Sequence, residues 1–460
     1  MPIFVVTLTK LFMQIVFQVL FAAMLAGAIY LFARRIKFIS RNINLGKDDK
    51  PRNDRKGERW QQVLLFAFGQ KKMFKRPTMA ILHFVVYAGF LLINIEVLEI
   101  VIDGLFGTHR VFAPVFGSLY PILIGFFELM AVGVFVACVI FLYRRVVMKV
   151  DRFQKREMKG WPTLDANLIL IFEIILVGAL LLMNAIDLQL QEVGADHYAE
   201  TGGFLVSQFM APMFAGMNET LLVVIERTLW WVHILGILFF LNYVTYSKHL
   251  HIMLAFPNSY YADLEEPKGK MQNMPEIQNE VAMMMDPEAA FSDDGPPPPE
   301  RFGAKDVNDL SWKNLLDAYS CTECGRCTSV CPANNTGKDL SPRKIMMDTR
   351  DRVEEVGIGI DKNGTDHQDG KSLIGDYITH EELRACTTCN ACVEECPVSI
   401  NPLDIILKLR RHMIMDEAQS PSEWNVMFGN VENNMAPWAF PADDRFNWAE
   451  NLELKTEKEA

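Results

Sequence analysis

The stretch Cys321-Thr-Glu-Cys324-Gly-Arg-Cys327-Thr-Ser-Val-Cys331-Pro332 recurs as Cys386-Thr-Thr-Cys389-Asn-Ala-Cys392-Val-Glu-Glu-Cys396-Pro397. Both copies have the spacing C-x2-C-x2-C-x3-C-P, which holds pairs of [4Fe–4S] cubanes. Three thiolates of one tight loop reach three corners of one cubane, and the fourth cysteine reaches the other cluster. The spacing therefore predicts two ligand sets, which are Cys321, Cys324, Cys327 with Cys396, and Cys386, Cys389, Cys392 with Cys331.

Two other uses of paired cysteines fit this pattern less well. Zinc ribbons use two separated C-x2-C pairs, whereas each stretch here has four cysteines within eleven residues. Disulfides need an oxidising compartment, and the charge pattern described below predicts that this part of the chain is cytoplasmic. The ninth cysteine, Cys138, lies in an apolar run and is interpreted as an inert small hydrophobic residue.

Apolar and polar residues are segregated along the 460-residue chain. Half of the residues are hydrophobic although 22% are charged, because the long apolar runs precede the cysteine-rich part. We expect a membrane domain over 1–256, a Pro- and acid-rich linker over 257–303, a cluster domain over 304–415 and an aromatic tail over 416–460. The net charge of −11, with basic residues clustered beside apolar runs, argues against nucleic-acid binding.

Five apolar segments of about 20 residues or more are long enough to cross a bilayer as helices. They are Leu11–Ala33, Pro77–Ile102, Leu119–Tyr143, Leu164–Ile186 and Leu221–Tyr246. A sixth stretch, Gly203–Met217, is shorter and contains Pro212, so we expect it to be interfacial or re-entrant. The predicted fold class is mainly α, with a five-helix transmembrane bundle followed by an α-helical ferredoxin-like domain.

Positive charge in the loops predicts the orientation of the helices. Loop 34–76 contains fourteen Lys and Arg residues and loop 144–159 contains seven, whereas 103–118 and 187–220 contain only Arg110 between them. Basic loops face the cytoplasm. We therefore expect a multi-pass protein of the bacterial cytoplasmic membrane, with its N-terminus outside and its cluster domain in the cytoplasm. The first segment lacks a basic n-region and a cleavage site, so we interpret it as a retained span.

Four histidines are candidate cofactor ligands. His83 lies early in the second span and His233 early in the fifth, and His249 and His251 follow at the cytoplasmic end. An intramembrane ionisable residue is a functional candidate, and neutral imidazole binds haem iron. Because His233 and His251 are eighteen residues apart, one continuous helix would place them on one face, about 27 Å apart. We predict haem b between His83 and His251, with His249 as the substitute; the alternatives are interhelical hydrogen bonds or headgroup contacts.

Four carboxylates in the spans are candidate proton carriers for quinone chemistry. Glu96, Glu99 and Glu128 lie toward the outer half, where pairing with polar neighbours is the alternative interpretation. Glu173 lies near the middle of the fourth span and is the favoured candidate.

The membrane half resembles a known family. Its five-span pattern, His83 and the sequence WWVHILGILFFLNYVTYSKHLHI (230–252) are similar to the cytochrome b subunit of respiratory nitrate reductase and, more closely, to the membrane subunit of heterodisulfide reductases. That resemblance implies two haems, held by two histidines of the second span and two of the fifth. Here Ile93 and Asn94 occupy the positions where a second histidine would follow His83. His233 is therefore expected to hold a second haem, to serve a quinone or to have lost its haem role.

The cluster half resembles the ferredoxin-like small subunit of the same family, which is α-helical around two cubanes. We expect a helix from Ser341 and Pro342 onward and a surface loop over Gly357–Gly375. In fused members of the family, a segment like 430–438 precedes two cysteine-rich CCG domains that contain the substrate chemistry, and no CCG motif occurs in this sequence. The aromatic residues of 430–448 are expected to dock a separate CCG-domain subunit or an electron-transferring flavoprotein, or to pack on the cluster domain.

The sequence thus predicts an oxidoreductase subunit of a respiratory chain. It would pass electrons between a cytoplasmic partner, the two [4Fe–4S] clusters, haem b and the quinone pool. Two alternatives stay open, which are a subunit of a quinol-driven heterodisulfide or thiol reductase complex and a membrane-anchored redox sensor.

Overall fold

The computed structural model describes residues 2–49, 51–265, 274–285, 301–450 and 452. Five helices in these ranges are long and apolar enough to cross a membrane. They are α1 (Pro2–Ile43), α2 (Pro77–Phe106), α3 (Tyr120–Val146), α4 (Trp161–Glu192) and α5 (Glu219–Tyr243). The predicted fold class, a mainly α protein with five long apolar helices ahead of the cluster region, is confirmed.

Seven further helices follow in the described part of the chain. They are α6 (His251–Tyr260), α7 (Pro275–Met285), α8 (Trp312–Ser320), α9 (Pro342–Asn363), α10 (His380–Ala385), α11 (Pro402–Arg411) and α12 (Ser422–Asn434). Short helical turns occupy Lys56–Gln62, Ala113–Phe116, Ser207–Met210, Arg326–Ser329, Pro332–Asn335 and Ala391–Glu395. Pairing of β type within these ranges is limited to two isolated bridges, Lys47 with Ser311 and Ile374 with Ile378.

The chain forms two compact units. The first comprises Met1–Gln272 and Asp306–Ile406, and the second comprises Asn273–Lys305 and Leu407–Ala460. The membrane helices and both cysteine stretches belong to the first unit. Residues 266–273 and 286–300 of the predicted linker, with 453–460 of the predicted tail, lie outside the described residues.

Glycine allows the spanning helices to approach one another closely. A Cβ atom on Gly89 of α2 would overlap the side chain of Val134 in α3, and one on Gly236 of α5 would overlap Leu176 in α4. Small residues at such contacts let helix backbones pack where no hydrophobic effect drives association. The neighbouring helices thereby hold the intramembrane polar groups at fixed depths.

The fifth spanning helix ends earlier than the sequence predicted. After Tyr243 the chain forms two single 3-10 turns, Val244–Tyr246 and Lys248–Leu250, and His251 begins α6. The side chain of Ser247 accepts a hydrogen bond from the backbone N–H of His249 at 3.1 Å, and such local bonds compete with helix continuation. The prediction that His233 and His251 share one continuous helix is therefore wrong.

Helix α9 extends further than predicted. It begins as expected, with Ser341 as N-cap accepting the backbone N–H of Lys344 at 3.3 Å, but it continues to Asn363. The expected loop from Gly357 is thus wrong for its first residues. Gly357 lies against Asn42 of α1, where a Cβ atom would overlap the Asn42 amide, so this glycine serves a helix contact instead of a turn.

Helix α1 reaches beyond the bilayer and holds the cluster region. Its 42 residues span about 63 Å, roughly twice the hydrocarbon thickness of about 30 Å. Near its C-terminal end, Arg35 pairs with Glu354 at 2.7 Å and the Asn42 amide donates to the Tyr319 hydroxyl at 3.0 Å. The cluster region is therefore fixed directly on the ends of the spanning helices.

Candidate functional site

The two cysteine loops bend in the same way. In the first loop Glu323 and Gly325 have positive φ values of 51° and 71°, and in the second Thr388 and Asn390 have values of 57° and 60°. This left-handed backbone favours glycine and is tolerated by asparagine. Repeated at equivalent positions, it curls each loop so that its first three thiols face one another.

Cys331 lies with the three cysteines of the second loop. Burial raises the pKa of the Cys392 thiol to about 12, and the neighbouring Cys386, Cys331 and Cys389 raise it as well. All four line one small cavity. A cysteine from the end of the first stretch thus joins the thiols of the second.

Cys396 lies with the three cysteines of the first loop. Burial holds the pKa of the Cys327 thiol well above its ordinary value, and Cys324, Cys321 and Cys396 raise it further. The two groups are neighbours, because Cys392 of the second loop also raises the pKa of Cys327. Cys138 is buried among the spanning helices and belongs to neither group, and all nine cysteines are free of disulfides.

These groups suit clusters better than single ions. Within the described ranges, no three His, Cys, Asp or Glu side chains could hold one metal ion. A cubane needs no such convergence, since each of its irons takes one thiolate. Backbone N–H groups approach the sulfur atoms, with Thr388 donating to Cys386 Sγ and Ile400 to Cys396 Sγ, each at 3.4 Å. Such hydrogen bonds stabilise thiolates and tune cluster potentials.

Three of the four candidate histidines line one cavity of about 360 Å³ at the end of the spans that adjoins the first cysteine loop. The ring centroids of His83 and His251 are 6.4 Å apart, and those of His249 and His251 are 5.3 Å apart. Burial lowers the pKa of His251 and, more strongly, that of His249, which keeps both imidazoles neutral. Neutral imidazole is the form that binds metals.

The rings of His83 and His251 are each fixed through Nδ1. His83 Nδ1 lies 3.0 Å from Gln70 Oε1, and His251 Nδ1 lies 3.1 Å from the carbonyl oxygen of Lys248. An oxygen acceptor at Nδ1 holds the proton there, so that Nε2 has a free lone pair. The role of Gln70 in positioning His83 could not be predicted from the sequence. Gln70 lies in a basic loop, and the charge of that loop predicts only the orientation of the helices.

His233 is separate from the other three histidines. It is buried, its Nδ1 donates to the carbonyl oxygen of Leu176 at 2.9 Å, and it does not line the histidine cavity. Its Nε2 has no hydrogen-bond partner in the described part of the chain. The structure thus gives His233 the interhelical hydrogen bond that was its alternative interpretation.

Glu96, Glu99 and Glu128 belong to a buried polar network. Arg110, missed as a site residue, contacts Glu96 at 3.3 Å and Asp187 at 2.9 Å, and Glu99 accepts from the Tyr120 hydroxyl at 2.7 Å. Glu128 accepts the backbone N–H of Val206 at 2.7 Å. The remaining candidate, Glu173, forms no hydrogen bond among the described residues and lines the histidine cavity.

The first cysteine group adjoins the histidine cavity. Cys324 lines that cavity together with the three histidines, as do Pro397 and Val398 next to Cys396. Cys389 of the second group is instead exposed at the surface. The two groups and the histidines therefore follow one another from the protein surface to the spanning helices.

Glu323, next to Cys324 in the first cysteine loop, forms ion pairs with residues outside that loop. It is 4% exposed and pairs with Lys248 Nζ at 2.5 Å and Arg350 Nη1 at 2.8 Å. Both cations hold the pKa of Glu323 below its ordinary range against the opposing effect of burial. The carboxylate thus stays ionised between them.

We expect Glu323→Gln to destabilise the cluster region. The change removes the buried carboxylate that Lys248 and Arg350 share and leaves them only Asp165 at 3.9 Å and Asp351 at 3.1 Å. Loss of one partner of a buried pair costs about 3–5 kcal/mol, which is the upper bound of the expected effect. Thermal unfolding followed by cluster absorbance measures the effect. Glu394→Gln is the control, because that carboxylate is 54% exposed in its pair with Lys75 and such surface pairs contribute about 1 kcal/mol or less. Equal effects of the two substitutions would contradict this account of Glu323.

Comparisons with known proteins agree with the cluster geometry. Residues 320–400 match the family model of the 4Fe-4S dicluster domain. The chain is 31% identical over 472 residues to a probable iron-sulfur-binding oxidoreductase, FadF, of Bacillus subtilis, covering 96% of this chain and 62% of that protein. It is 27% identical over 436 residues to the EtfAB:quinone oxidoreductase of Syntrophomonas wolfei, covering 88% of this chain and 56% of that protein.

A third similarity is confined to the cluster region. Over 107 residues the chain is 36% identical to one subunit of a ferredoxin/F420H2-dependent CoB-CoM heterodisulfide reductase of Methanosarcina acetivorans, and the match covers 23% of this chain and 52% of that protein. No solved structure matches the chain at a significant level. The chain spans less than two thirds of the length of the two relatives that match most of it.

These findings establish the general class of the protein. The chain is related to iron-sulfur oxidoreductases and has five helices that are candidate membrane spans in its described residues. The cysteines of its dicluster domain bind two [4Fe–4S] clusters.

Proposed function

We propose that the protein passes electrons between a cytoplasmic electron-transferring flavoprotein and the quinone pool, through two [4Fe–4S] clusters and one haem b. The observation that supports this most strongly is a shared cavity. Cys324 of the first cysteine group and the histidines His83 and His251 line the same space. A cluster ligand and two metal-binding imidazoles in one cavity fit an electron path from the clusters into the membrane.

The ligand sets follow the spatial groups. Cluster 1 is held by Cys321, Cys324, Cys327 and Cys396, and cluster 2 by Cys386, Cys389, Cys392 and Cys331. The supporting observation is the exchange of each fourth cysteine, because Cys396 raises the pKa of Cys327 and Cys331 raises that of Cys392. Iron bound to these buried thiols supplies the positive charge that lets them ionise.

The donor set of the cavity fits haem b. Metal–imidazole bonds are about 2 Å long, so two imidazoles that hold one metal ion would have ring centroids up to about 6 Å apart. His83 and His251 are 6.4 Å apart by this measure, and each presents an unprotonated Nε2. When bound there, haem supplies a one-electron carrier within the bilayer. His249 is the substitute ligand, and His233 has no second histidine beside it among the described residues.

The order of the two clusters and the histidine cavity indicates which cluster exchanges electrons with the cytoplasmic partner. Cluster 2 has an exposed ligand, Cys389, whereas cluster 1 adjoins the histidine cavity. A cytoplasmic partner therefore exchanges electrons with cluster 2, which passes them through cluster 1 to the haem. The name of the Syntrophomonas relative, EtfAB:quinone oxidoreductase, supports an electron-transferring flavoprotein as that partner and quinone as the membrane acceptor.

Glu173, which lines the histidine cavity and forms no hydrogen bond among the described residues, is the proposed proton carrier.

A reduced-minus-oxidised optical spectrum of the purified protein tests the proposal. We expect a b-type haem signal in addition to the bleaching of the iron-sulfur absorption. A preparation with both clusters and no haem would refute the electron path and would favour the membrane-anchored redox sensor instead.

A further inference from the structure

Two arginines, Arg145 near the C-terminal end of α3 and Arg152 in the loop that follows, line the histidine cavity, and each has a buried donor without a hydrogen-bond partner among the described residues. Arg145 Nη2 and Arg152 Nε are both buried and have no hydrogen-bond partner within the described residues, and both side chains line the cavity. Burial of a cationic donor without a partner costs free energy. Each guanidinium therefore has a donor left for an anion in the cavity.

Further hydrogen bonds hold the Arg145 side chain and the Arg152 backbone in place. Arg145 Nε donates to Asn167 Oδ1 at 3.1 Å, and the backbone carbonyl of Arg152 accepts from Arg343 Nη1 at 2.8 Å. Both guanidinium groups lie over the same ring, at 4.5 Å and 4.8 Å from the centroid of Phe153. Two like charges are thus held close to one another, and an anion between them would relieve their repulsion.

Three other basic residues of the same cavity are paired. Lys248 contacts Glu323 at 2.5 Å, and Arg326 and Arg76 contact Glu395 at 3.0 Å and 3.3 Å. No carboxylate lies within ion-pair distance of Arg145 or Arg152 among the described residues, although Glu323 and Asp165 act on Arg145 from further away. Among the described residues that line the cavity, six are basic, Arg144 included, and one, Glu173, is acidic, so the cavity has an excess of positive charge.

The other residues that line the cavity indicate what kind of anionic ligand would bind there. Its walls between the two arginines and Glu173 include apolar side chains such as Phe141, Ile169 and Phe256, with the neutral His83 and His251 among them. A ligand that matches this cavity has an apolar body to which two imidazoles can bind. It also has an anionic edge that reaches the two arginines. Haem b has this form, because its two propionates lie on one edge of the macrocycle.

We propose that Arg145 and Arg152 form an anion subsite that takes the haem propionates. The inference rests on the proposed haem between His83 and His251 and adds the residues that orient it. Arginine suits this role, since its fixed fork of donors matches a carboxylate. A phospholipid phosphate is the other anion that could reach a site at the membrane surface.

The test is a redox titration of the haem in full-length Arg145→Gln and Arg152→Gln proteins. Loss of one positive charge beside the haem favours the ferric form; we expect about a tenfold shift, equivalent to about 59 mV lower midpoint potential for a one-electron couple. Arg145→Lys, which keeps the charge, should stay closer to the wild-type potential. Arg156→Gln is the matched control, because Arg156 belongs to the same loop, is exposed and does not line the cavity.

The possible results distinguish failure of the proposed function from failure of the arginine subsite alone. A wild-type protein without haem overturns both the proposed function and the subsite. Haem present at equal content and equal potential in wild type and in both Gln variants overturns the subsite alone. Loss of co-purifying phospholipid phosphate from the variants, with an unchanged haem potential, would assign the arginines to a lipid headgroup and also overturn it. A lowered potential in either Gln variant, with normal cluster content and an unchanged Arg156→Gln control, supports the subsite.

Discussion

Replacing His83 with alanine removes the b-type haem signal and leaves both iron-sulfur clusters in place. The His83 ring is positioned by Gln70 and lies 6.4 Å from that of His251, so its removal would leave only one of the two imidazoles proposed to hold the haem. The reduced-minus-oxidised spectrum measures the loss, and iron content reports the clusters.

Two further variants make the assignment of His83 specific. His251→Ala should have the same effect as His83→Ala. His233→Ala should keep the haem, because His233 is bonded to Leu176 and lies outside the cavity. Full haem content in His83→Ala would refute the ligand assignment. Haem that survives in His251→Ala but not in His249→Ala would instead make His249 the ligand.

Replacing Cys396 with serine damages the cluster of the first cysteine loop, although Cys396 belongs to the second stretch. The reason is spatial, because Cys396 lies with Cys324 and Cys327. We expect the iron content to fall from about eight to about four atoms per chain. The electron paramagnetic resonance spectrum of the reduced protein should lose the same signal in Cys396→Ser as in Cys324→Ser.

The reciprocal variant and a control complete this test. Cys331→Ser should lose the signal that Cys389→Ser loses, since Cys331 lines the small cavity of the second group. Cys138→Ser should retain both signals, because that thiol lies among the spanning helices. If Cys396→Ser instead resembled Cys389→Ser, each cluster would take all four ligands from one stretch, and the proposed exchange would be wrong.

The cysteine loops could be predicted from the sequence because their geometry is local. Ligand spacing and a Gly or Asn at the left-handed positions, here Gly325 and Asn390, set the shape of each loop within a few residues. The five spans were predictable for a similar reason, since length and apolar composition alone decide whether a helix can cross a bilayer. In both cases short-range physics determines the result.

The histidine cavity depended on contacts that the sequence does not display. Helical periodicity placed His251 on a continuation of α5, but the turns after Tyr243 redirect the chain. The residues that anchor the cavity, Gln70 and Arg145 among them, were recognised only as part of basic loops. Their roles arise from what they face across helices: Gln70 meets His83 and Arg145 lies over Phe153. Such pairings come from tertiary packing, which periodicity and composition do not encode.

The central claim is that electrons leave the clusters through the haem to reach quinone. The most direct test follows the reoxidation of reduced clusters after rapid mixing with a short-chain quinone, by freeze-quench electron paramagnetic resonance, in the wild type and in His83→Ala. The account predicts that the wild-type clusters and haem are reoxidised together, while the clusters of His83→Ala stay reduced. Clusters that are reoxidised at the wild-type rate in the haem-free variant would contradict it.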